Sequence, residues 1–363
     1  MSSRVLQLVL SLNPGGTERL VVELASRLHS TVPMAICCLD EPGAWAGGLR
    51  ERGIAVSALG RQPGFHPGLG RAVARTAARH QATVIHAHHY SPFVYGAIAR
   101  LWRPSTRLIF TEHGRLSDAR PSPRRRAANR LLNVAPHGVF TVSAELKEHL
   151  AAEGFPRTSI SVVHNGIDVG ARPSVADRTR VRRALGLADD VLAIGTVARL
   201  DPVKDLGTLI EAVSHLAPER RVRLVIIGDG AEFSRLKQVA TSRGISDDVA
   251  FLGHRDDARN WLAGFDVFVN SSTSEGVSLT ILEAMAAGLP VVAPAVGGTP
   301  EVVDEASGCL VPARDPIALA AALRSLARDT SRRVSLGQAA RRRVEIHFTL
   351  DRMVEDYRKV YVH

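Results

Sequence analysis

The sequence predicts an α/β protein made of two doubly wound domains, each built on a mainly parallel sheet. Short apolar runs alternate with helical patterns along the whole chain of 363 residues, and this alternation favours parallel strands joined by helices. A polar stretch divides the runs into two series, and the length is sufficient for two or three domains. Because doubly wound folds bind ligands at the carboxyl ends of their strands, we expect a ligand cleft between the two domains.

The first half contains five predicted strands, most of them continuously apolar, as expected when helices cover both faces of a sheet. They are Val5–Leu10, Met34–Leu39, Val84–His86, Leu108–Thr111 and Gly138–Val142. The first run is interpreted as a buried strand and not as a signal peptide, because it lacks a small-residue cleavage pattern. After it, Leu20, Leu24 and Leu28 recur at a spacing of four, which predicts a helix with Thr17 as its N-cap.

A second series of five strands begins near residue 190. They are Val191–Ala198, Arg223–Ile227, Val249–Leu252, Asp266–Val269 and Val291–Ala293. The stretch 168–190 separates the two series and holds Pro173, many charges and few large apolar side chains, so the domain boundary is placed near 170–185. This gives domains at 1–175 and 176–345, followed by an amphipathic C-terminal helix over 346–363.

Composition and missing motifs exclude several classes of protein. No run approaches the about 18 consecutive apolar residues of a membrane helix. Three cysteines without a C-x-x-C spacing indicate neither a disulfide framework nor a zinc site, which fits a reducing cytoplasm. There is no Gly-Lys pair for a Walker loop and no D-x-D, and Phe233 stands where a dinucleotide fingerprint needs its third glycine. Aromatic residues are only 5% of the chain, which argues against a nucleic-acid-binding platform.

The positive charge is concentrated in the first half of the chain. Residues 1–175 contain 21 of the 46 basic and 11 of the 36 acidic residues, so the whole net charge of +10 lies there and residues 176–363 are neutral. Two interpretations stay open. The surface is simply rich in arginine, or the first half attracts an anionic partner such as phospholipid or a phosphorylated acceptor.

The stretch "GTVARLDPVKDLGTLIEAV" places two cations after a predicted strand. Arg199 and Lys204 precede a helix that Asp205 is positioned to cap. Two fixed cations at the carboxyl end of a strand indicate an anion site. The alternative is a solvated loop in which Arg199 pairs with Asp201.

The stretch "EGVSLTILEAMAAGLPVV" predicts a helix over Leu279–Ala287, with Ser278 as N-cap and Gly288 as C-cap. Free backbone N–H groups at its start can cradle a phosphate. Glu283, one turn into the helix, can accept the hydroxyls of a ribose, and Glu275 can accept those of a sugar. The alternative is that both are ordinary surface glutamates.

Two further stretches follow predicted strands in the first half. In "NPGGTE", Gly15 and Gly16 allow the backbone to approach a phosphate closely. In "FTEHGR", His113 lies just past a buried strand and can hydrogen-bond a substrate. The stretch "HAHHY" invites a metal site at His86 and His88, which we do not favour because no carboxylate lies nearby.

Together these motifs resemble those of the retaining glycosyltransferases of family 4, which have the GT-B fold of two Rossmann-like domains facing a central cleft. The resemblance covers nearly the whole chain. Besides the Gly-Gly loop it rests on "EHG", "TVSAELKEHL", "VHNGID", "GTVARLDPVKDLGTLIEAV", "LVIIGDG", "FLGHRDD" and "SEGVSLTILEAMAAGLPVVAPAVGGTPEVV". The E-x7-E spacing from Glu275 to Glu283 is highly specific in this combination. One departure is that Val277 and Ser278 stand where many members have Phe and Gly.

The resemblance implies roles for single residues. Gly16 donates its backbone N–H to the diphosphate of a nucleotide-sugar donor, Arg199 and Lys204 grip that diphosphate, and Glu283 binds the ribose. Glu275 and His113 contact the donor sugar. The implied catalytic residues are His113, Arg199, Lys204 and Glu275, and the implied donor-binding residues are Gly15, Gly16, Arg199, Lys204, Gly276, Val277, Ser278, Leu279 and Glu283.

The resemblance also implies the reaction, which is transfer of a hexose-type sugar from a UDP- or GDP-linked donor with retention at the anomeric carbon. No cofactor and no metal are expected. No carboxylate is obviously placed as a covalent nucleophile, so a front-face route, in which the departing phosphate deprotonates the acceptor, is expected. By the same resemblance the final helix crosses back onto the first domain. The alternatives are a GT-B-fold nucleotide-sugar epimerase and a non-catalytic nucleotide-sugar binding protein.

The acceptor is expected on the N-terminal half as a sugar or lipid-linked glycan, in polysaccharide or glycolipid assembly. The segment 114–130 is rich in arginine, and we expect it to face an anionic membrane or acceptor, the alternative being a solvated face. Its arginines just after His113 are Arg115, Arg120, Arg124, Arg125, Arg126 and Arg130. The protein is accordingly expected in the cytoplasm, in part peripheral on the inner membrane face, with no nucleic-acid partner.

Overall fold

The structure is a computed structural model that describes residues 3–115, 123–217 and 221–362. Its internal contacts divide the chain into two compact units. Unit 1 comprises Met1–Asn165 and Asp351–His363, and unit 2 comprises Gly166–Leu350. The predicted boundary near residue 175 therefore lies inside unit 2.

Unit 1 has a seven-stranded sheet in the order β3-β2-β1-β4-β5-β6-β7, and every pairing in it is parallel. The strands are β1 (Val5–Val9), β2 (Met34–Cys38), β3 (Ala55–Ala58), β4 (Val84–His88), β5 (Arg107–Glu112), β6 (Gly138–Thr141) and β7 (Ile160–Val162). The helices are α1 (Gly16–Leu28), α2 (Ala46–Glu51), α3 (Gly68–Arg79), α4 (Tyr90–Ala99), α5 (Pro123–Leu132) and α6 (Ala144–Ala152). The central strands β1, β2 and β4 are buried along their whole length, as their continuous apolar sequences predict.

Unit 2 has a six-stranded parallel sheet in the order β10-β9-β8-β11-β12-β13. The strands are β8 (Leu192–Val197), β9 (Val222–Ile227), β10 (Val249–Phe251), β11 (Val267–Val269), β12 (Val291–Pro294) and β13 (Gly308–Val311). The helices are α7 (Val175–Ala184), α8 (Leu206–Ser214), α9 (Phe233–Ser242), α10 (Ala258–Trp261), α11 (Leu279–Ala286), α12 (Thr299–Val302), α13 (Pro316–Arg328), α14 (Thr330–His347) and α15 (Leu350–Val362). The last of these, α15, belongs to unit 1 from Asp351 onward.

All ten predicted strands are present, with small differences at their ends. The sequence missed β3, β7 and β13, and each of these lies at an edge of its sheet. Edge strands are covered less completely than central ones, so they do not need a continuous apolar run. The sequence "AVSA" of β3, for example, is half-exposed throughout.

The predicted single helix over 346–363 is interrupted in the structure. The helix α14 ends at His347 and α15 begins at Leu350, and only Phe348 and Thr349 lie between them. There Ile167 N–H donates to the carbonyl oxygen of Phe348 at 3.0 Å, and Leu350 N–H donates to the carbonyl oxygen of Ile167 at 2.8 Å. This parallel bridge satisfies backbone groups that a continuous helix would have paired internally.

The strand orders place one topological switch point in each unit. In unit 1 the chain continues from β1 to β2 and β3 at one edge of the sheet, and then returns to form β4 on the opposite side of β1. In unit 2 it continues from β8 to β9 and β10, and then returns to form β11 on the opposite side of β8. Ligands of open α/β sheets bind at such points, outside the carboxyl ends of the strands. The loops after β1, β4, β8 and β11 are therefore where a site is expected.

A buried ion pair fixes the base of the switch point in unit 2. The Arg182 side chain is buried on α7 and donates to the Asp266 carboxylate at 3.2 Å and to the carbonyl oxygens of Ala188 and Val191. Asp266 precedes β11 and also accepts from the N–H of Ala193 in β8 at 2.8 Å. Arg182 thus joins α7 to the two strands that flank the switch point.

We expect Arg182→Ala to lower the free energy of unfolding of unit 2 by about 3 kcal/mol, because it leaves three carbonyl oxygens without this donor and leaves Asp266 with only Arg178 and the Ala193 N–H as donors. The exposed neighbour Arg183 offers a matched control, and Arg183→Ala should change stability by less than about 0.5 kcal/mol. Urea unfolding of the two variants measures the difference. Equal midpoints would show that the Arg182 contacts do not stabilise the unit.

Candidate active site

The site in unit 2 is formed by the loops that follow β8 and β11. After β8 the chain passes Arg199 and makes a 3₁₀ turn over Pro202–Lys204. After β11 it runs through residues 270–275 to Glu275. Because β8 and β11 are adjacent parallel strands, these two loops lie side by side at the same edge of the sheet.

An ion pair joins the two loops. Lys204 Nζ donates to Glu275 Oε1 at 2.7 Å, with the side chains only 20% and 10% exposed. Glu275 Oε1 also accepts from Ser272 Oγ at 2.6 Å and from Asn270 Nδ2 at 3.2 Å. Burial acts to raise the pKa of the Glu275 carboxyl, but the Lys204 ammonium and the hydrogen bonds from Ser272 and Asn270 outweigh it and hold this pKa below its usual value. Glu275 is therefore an ionised carboxylate at neutral pH.

Backbone contacts hold the two loops in register. Thr273 N–H donates to the carbonyl oxygen of Val203 at 2.8 Å, and Ser271 Oγ donates to that of Lys204 at 2.7 Å. The polar residues 270–273 were missed as functional residues in the sequence. Their signal is the run of short polar side chains, "NSSTS", directly after a buried strand.

Each of the two cations expected to bind an anion, Arg199 and Lys204, pairs with a carboxylate of the protein. The Arg199 side chain is 71% exposed and pairs with Asp201 at 3.0 Å, which is the solvated-loop arrangement weighed as the alternative for Arg199. Lys204 pairs with Glu275 instead. Asp205 occupies the N-cap position of α8 with φ 45°, but its side chain accepts from the Thr208 hydroxyl at 2.8 Å and not from a backbone N–H. Each of the two cations is thus held by its own carboxylate.

The helix that follows Glu275 begins and ends close to the predicted positions. Ser278 is the N-cap residue of α11, but its side chain does not cap the helix and lies 3.2 Å from the Thr280 hydroxyl. The C-cap is Ala287, one residue before the predicted Gly288, which follows with φ 82°. The first N–H groups of α11 have no partners inside the helix and carry its positive dipole end.

The E-x7-E glutamates are not surface residues. Glu283 is 6% exposed and Glu275 is mostly buried, so the surface-glutamate interpretation is wrong. Val277 and Leu279 are buried as well and anchor the loop between them. Gly297 has φ 54° and lies against the carbonyl oxygen of Glu275, where a β-carbon would collide with that oxygen. The turn at Gly297 thus packs directly against the backbone of Glu275, which is one reason why Glu275 has a fixed position.

In unit 1 the Gly-Gly loop leads directly into α1. Gly15 is the N-cap and Gly16 the first helical residue, so the predicted N-cap Thr17 lies inside the helix. The Thr17 hydroxyl instead contacts His89 Nε2 at 2.9 Å, just beyond the end of β4. This contact brings the loop after β1 to the loop after β4, at the switch point of the sheet.

A carboxylate missed in the sequence lies among the histidines of "HAHHY". Glu112 is buried at the end of β5 and accepts from His89 Nδ1 at 2.8 Å and from the N–H of His113 at 3.1 Å. Burial lowers the pKa of His89, but the hydrogen bond and charge of Glu112, with the charge of Glu18, outweigh it and raise this pKa above its usual value. The expectation that no carboxylate lies near these histidines was wrong, because β5 pairs with β4 in space.

The remaining histidine nitrogens bind protein groups. His86 contacts the Tyr361 hydroxyl at 2.7 Å and the Thr111 hydroxyl at 2.8 Å, and His88 contacts Gln7 Oε1 at 2.7 Å and His113 Nε2 at 2.9 Å. Within the described residues no cluster of three or more His, Cys, Asp or Glu side chains has the arrangement of a metal site. The histidines of this stretch are hydrogen-bonding groups of the fold.

His113 lies just past β5, as predicted, and its Nδ1 is buried without a hydrogen-bond partner among the residues that the structure describes. Burial lowers the pKa of His113 well below its usual value, and the neighbouring His88 and His89 lower it further. The ring is therefore neutral at neutral pH, and its Nδ1 has no partner among the described residues.

The basic segment after His113 is only partly a free cationic face. Arg115 pairs with Glu145, and Arg125 pairs with the buried Glu153 at 2.5 Å and lies 4.8 Å from the centre of the Tyr90 ring. Arg124 and Arg126 are exposed on α5. Arg120 lies outside the described residues. Of the predicted arginines, Arg115 and Arg125 thus serve the packing of unit 1.

Comparison with known proteins identifies the family. Residues 14–171 match the model of Glycosyltransferase Family 4, and residues 191–329 match that of Glycosyl transferases group 1. The D-inositol 3-phosphate glycosyltransferase of Geodermatophilus obscurus is 33% identical, in an alignment that covers 92% of this chain and 89% of that protein. This chain belongs to glycosyltransferase family 4.

Other glycosyltransferases are similar in sequence or fold. The N-acetyl-alpha-D-glucosaminyl L-malate synthase of Bacillus anthracis is 26% identical, with 82% of this chain and 79% of that protein covered. Among solved structures, HepE of Anabaena in complex with UDP superposes with a TM-score of 0.88 at 26% identity, covering 98% of this chain and 99% of that one. This glycosyltransferase therefore has the GT-B fold, as predicted. Across the described residues, no helix is both long and apolar enough to span a bilayer.

We expect the double variant Asn270→Ala/Ser272→Ala to raise the pKa of Glu275, because it removes two hydrogen bonds that favour the carboxylate. Glu275 is then protonated at a higher pH, and the acidic limb of the kcat/KM profile for sugar transfer should move to higher pH. Ser274→Ala, in the same loop, is the control and should leave the profile in place. An unchanged acidic limb in the double variant would contradict a role of ionised Glu275.

Proposed function

We propose that this glycosyltransferase moves a hexose-type sugar from a UDP- or GDP-linked donor to an acceptor, with retention at the anomeric carbon. The observation that carries the proposal is the buried contact between the Lys204 ammonium and the Glu275 carboxylate, beside the start of α11. An ammonium, a helix N-terminus and an ionised carboxylate are the groups that a sugar diphosphate requires. The similar HepE protein was solved with UDP and also with UDP-glucose.

The carboxylate of Glu275 has one oxygen available for the sugar. Its Oε1 accepts from Lys204, Ser272 and Asn270, whereas no hydrogen bond to Oε2 is found among the described residues. An ionised carboxylate oxygen is a strong acceptor for hydroxyl groups. Glu275 Oε2 thus accepts hydroxyls of the donor sugar, while the three donors on Oε1 keep the carboxylate ionised and oriented.

In this proposal two cations bind the diphosphate, Arg199 in an exposed ion pair and Lys204 in a mostly buried one. The exposed pair of Arg199 and Asp201 is worth at most about 1 kcal/mol, so Arg199 can exchange Asp201 for a phosphate with little loss. Lys204 is more buried and keeps Glu275 as a neighbour, and its remaining ammonium hydrogens are available to phosphate oxygens. The first N–H groups of α11, near Ser278 and Leu279, add their dipole.

The residues that contact the remaining parts of the donor follow from the family resemblance. We assign the ribose hydroxyls to Glu283, a diphosphate oxygen to the N–H of Gly16, and a hydroxyl of the donor sugar to His113. The Gly15–Gly16 loop begins a 13-residue helix, whose N-terminus favours an anion. Gly276 and Val277 shape the loop that follows Glu275.

The proposed transfer proceeds on one face of the sugar and needs no cofactor or metal. The bond between the anomeric carbon and the phosphate oxygen breaks, and the acceptor oxygen bonds to the same face of that carbon. The acceptor proton passes to the departing phosphate oxygen. Lys204 and Arg199 stabilise the negative charge that develops on the leaving diphosphate, a contribution that reaches several kcal/mol for preorganised groups.

We propose an anionic acceptor, in polysaccharide or glycolipid assembly. All of the net positive charge lies in residues 1–175, which favours an anionic partner there. Two similar enzymes carry the names of anionic acceptors, D-inositol 3-phosphate and L-malate. The exposed arginines Arg124 and Arg126, with Leu131 exposed on the same helix, would place unit 1 at an anionic membrane surface.

We expect Lys204→Ala to reduce kcat by about 100-fold or more, because single preorganised donors of this kind contribute that much. The assay is product formation from a panel of UDP- and GDP-linked sugars with phosphorylated and lipid-linked acceptors. Lys237→Ala, on the exposed face of α9, is the control and should be as active as the unmodified protein. Near-normal turnover of Lys204→Ala would contradict the assigned role, and conversion of the donor without any acceptor would indicate an epimerase.

The membrane proposal is tested by sedimentation with anionic liposomes at low ionic strength. We expect Arg124→Ser/Arg126→Ser to reduce the pelleted fraction several-fold, at about 1 kcal/mol for each lost charge near the surface. The matched control is Arg183→Ser/Arg342→Ser, which removes two exposed arginines of unit 2. Equal pelleting of both double variants would exclude α5 as the membrane-binding surface.

A further inference from the structure

A chain of buried hydrogen bonds in unit 1 ends at His113. Gln7 Nε2 donates to the Tyr361 hydroxyl at 3.0 Å, and Gln7 Oε1 contacts His88 Nε2 at 2.7 Å. His88 Nδ1 then contacts His113 Nε2 at 2.9 Å. Gln7, His88 and Tyr361 are almost completely buried, so water does not compete for these bonds. Once the orientation of the Gln7 amide is known, the donor and the acceptor of each hydrogen bond from Gln7 to His113 are therefore determined.

The surroundings of Gln7 decide its orientation. One side of the amide faces both the Tyr361 hydroxyl and, at 3.7 Å, Met34 Sδ. The sulfur is a weak acceptor and has no hydrogen to give, so the NH₂ group, which can donate to both Tyr361 and the sulfur, is favoured on that side. A carbonyl oxygen there would have only the Tyr361 hydroxyl as a donor and would place lone pairs against the sulfur. Assigned from this network, Gln7 presents Oε1 to His88.

The orientation of Gln7 sets the tautomer of both histidines. A carbonyl oxygen only accepts, so His88 Nε2 carries the hydrogen. Burial lowers the pKa of His88 well below its usual value, so the ring is neutral and its Nδ1 is a lone-pair acceptor. His113 Nε2 must then donate to His88 Nδ1. In the neutral His113 ring, Nδ1 is left as a lone pair, and this is the buried atom without a partner among the described residues.

We propose that Gln7 and His88 are positioning residues that fix His113 as a hydrogen-bond acceptor toward the donor sugar. His113 then selects a donor that presents a hydroxyl to Nδ1, and it disfavours one that presents a carboxylate or lacks the hydroxyl at that position. A carboxylate oxygen would place its lone pairs against the lone pair of Nδ1, and a deoxy sugar would leave Nδ1 buried and unpaired. The inference rests on the proposed function only in taking the donor sugar as the ligand of His113.

The tautomer can be measured on the unmodified protein. With ¹⁵N-labelled histidine, long-range ¹H–¹⁵N correlation spectra distinguish a protonated from an unprotonated ring nitrogen, and loss of signals in His113→Gln assigns the ring. We expect His113 at pH 7 to carry its hydrogen on Nε2 and none on Nδ1. A hydrogen on Nδ1, in a neutral or a charged ring, overturns the proposal.

The role of Gln7 is tested with Gln7→Met, which keeps the volume but removes the acceptor for His88. We expect mixed tautomers of His113 and a loss of about 10-fold in kcat/KM for the hydroxyl-bearing donor, as for one lost hydrogen bond. The matching deoxy donor should lose much less. Thr111→Val is the control, because it breaks the hydrogen bonds of Thr111 to His86 and Tyr357, neither of which is made by Gln7 or His88, and it should leave the tautomer of His113 unchanged.

The outcomes separate this proposal from the proposed function. The expected tautomer in a protein that turns over no nucleotide sugar would support the role of Gln7 and His88 at His113 and contradict the proposed function. Sugar transfer by a protein whose His113 carries its hydrogen on Nδ1 would support the proposed function and contradict the role of Gln7 and His88. Equal losses for the hydroxyl-bearing and deoxy donors in Gln7→Met would show that Gln7 acts only on the fold, and this also overturns the proposal.

Discussion

The contact between Lys204 and Glu275 is the interaction on which the site in unit 2 depends. A mostly buried carboxylate is costly unless it is paired and hydrogen-bonded, and Glu275 Oε1 has an ammonium and two further donors. These partners come from two loops whose strands, β8 and β11, are neighbours only because the strand order reverses there. The same pairing that stabilises the carboxylate thus fixes the cation beside it.

Unit 1 uses the same topology with a different chemistry. At its switch point the polar groups are mainly neutral histidines, whose hydrogen bonds run back through Gln7 to Tyr361 on α15. Burial keeps His86, His88 and His113 uncharged, whereas Glu112 favours the charged form of His89. Neighbouring histidines at this switch point therefore differ in how readily they take up a proton, because His89 faces a carboxylate and the others face hydroxyl, amide and imidazole groups.

The two cations of the loop after β8, Arg199 and Lys204, differ in the exposure of their ion pairs. Arg199 is held by an exposed pair that contributes little to stability, so it remains available to a ligand. Lys204 is held in place by a mostly buried partner, Glu275. The position of Lys204 is therefore more firmly fixed than that of Arg199.

The amino-acid sequence alone predicted the fold class, ten of the thirteen strands, and the positions of Glu275, Glu283, Lys204 and His113, because apolar runs and short motifs are local features of the chain. It did not show three of the four edge strands, whose partial exposure weakens the apolar signal, nor Glu112 beside His89. The folded protein alone shows that Lys204 faces Glu275, that Arg125 is held by Glu153, and that Gln7 lies against His88. These contacts join residues far apart in the chain, and which groups pair there is set by the order of strands in the sheets, which no local pattern of side chains encodes.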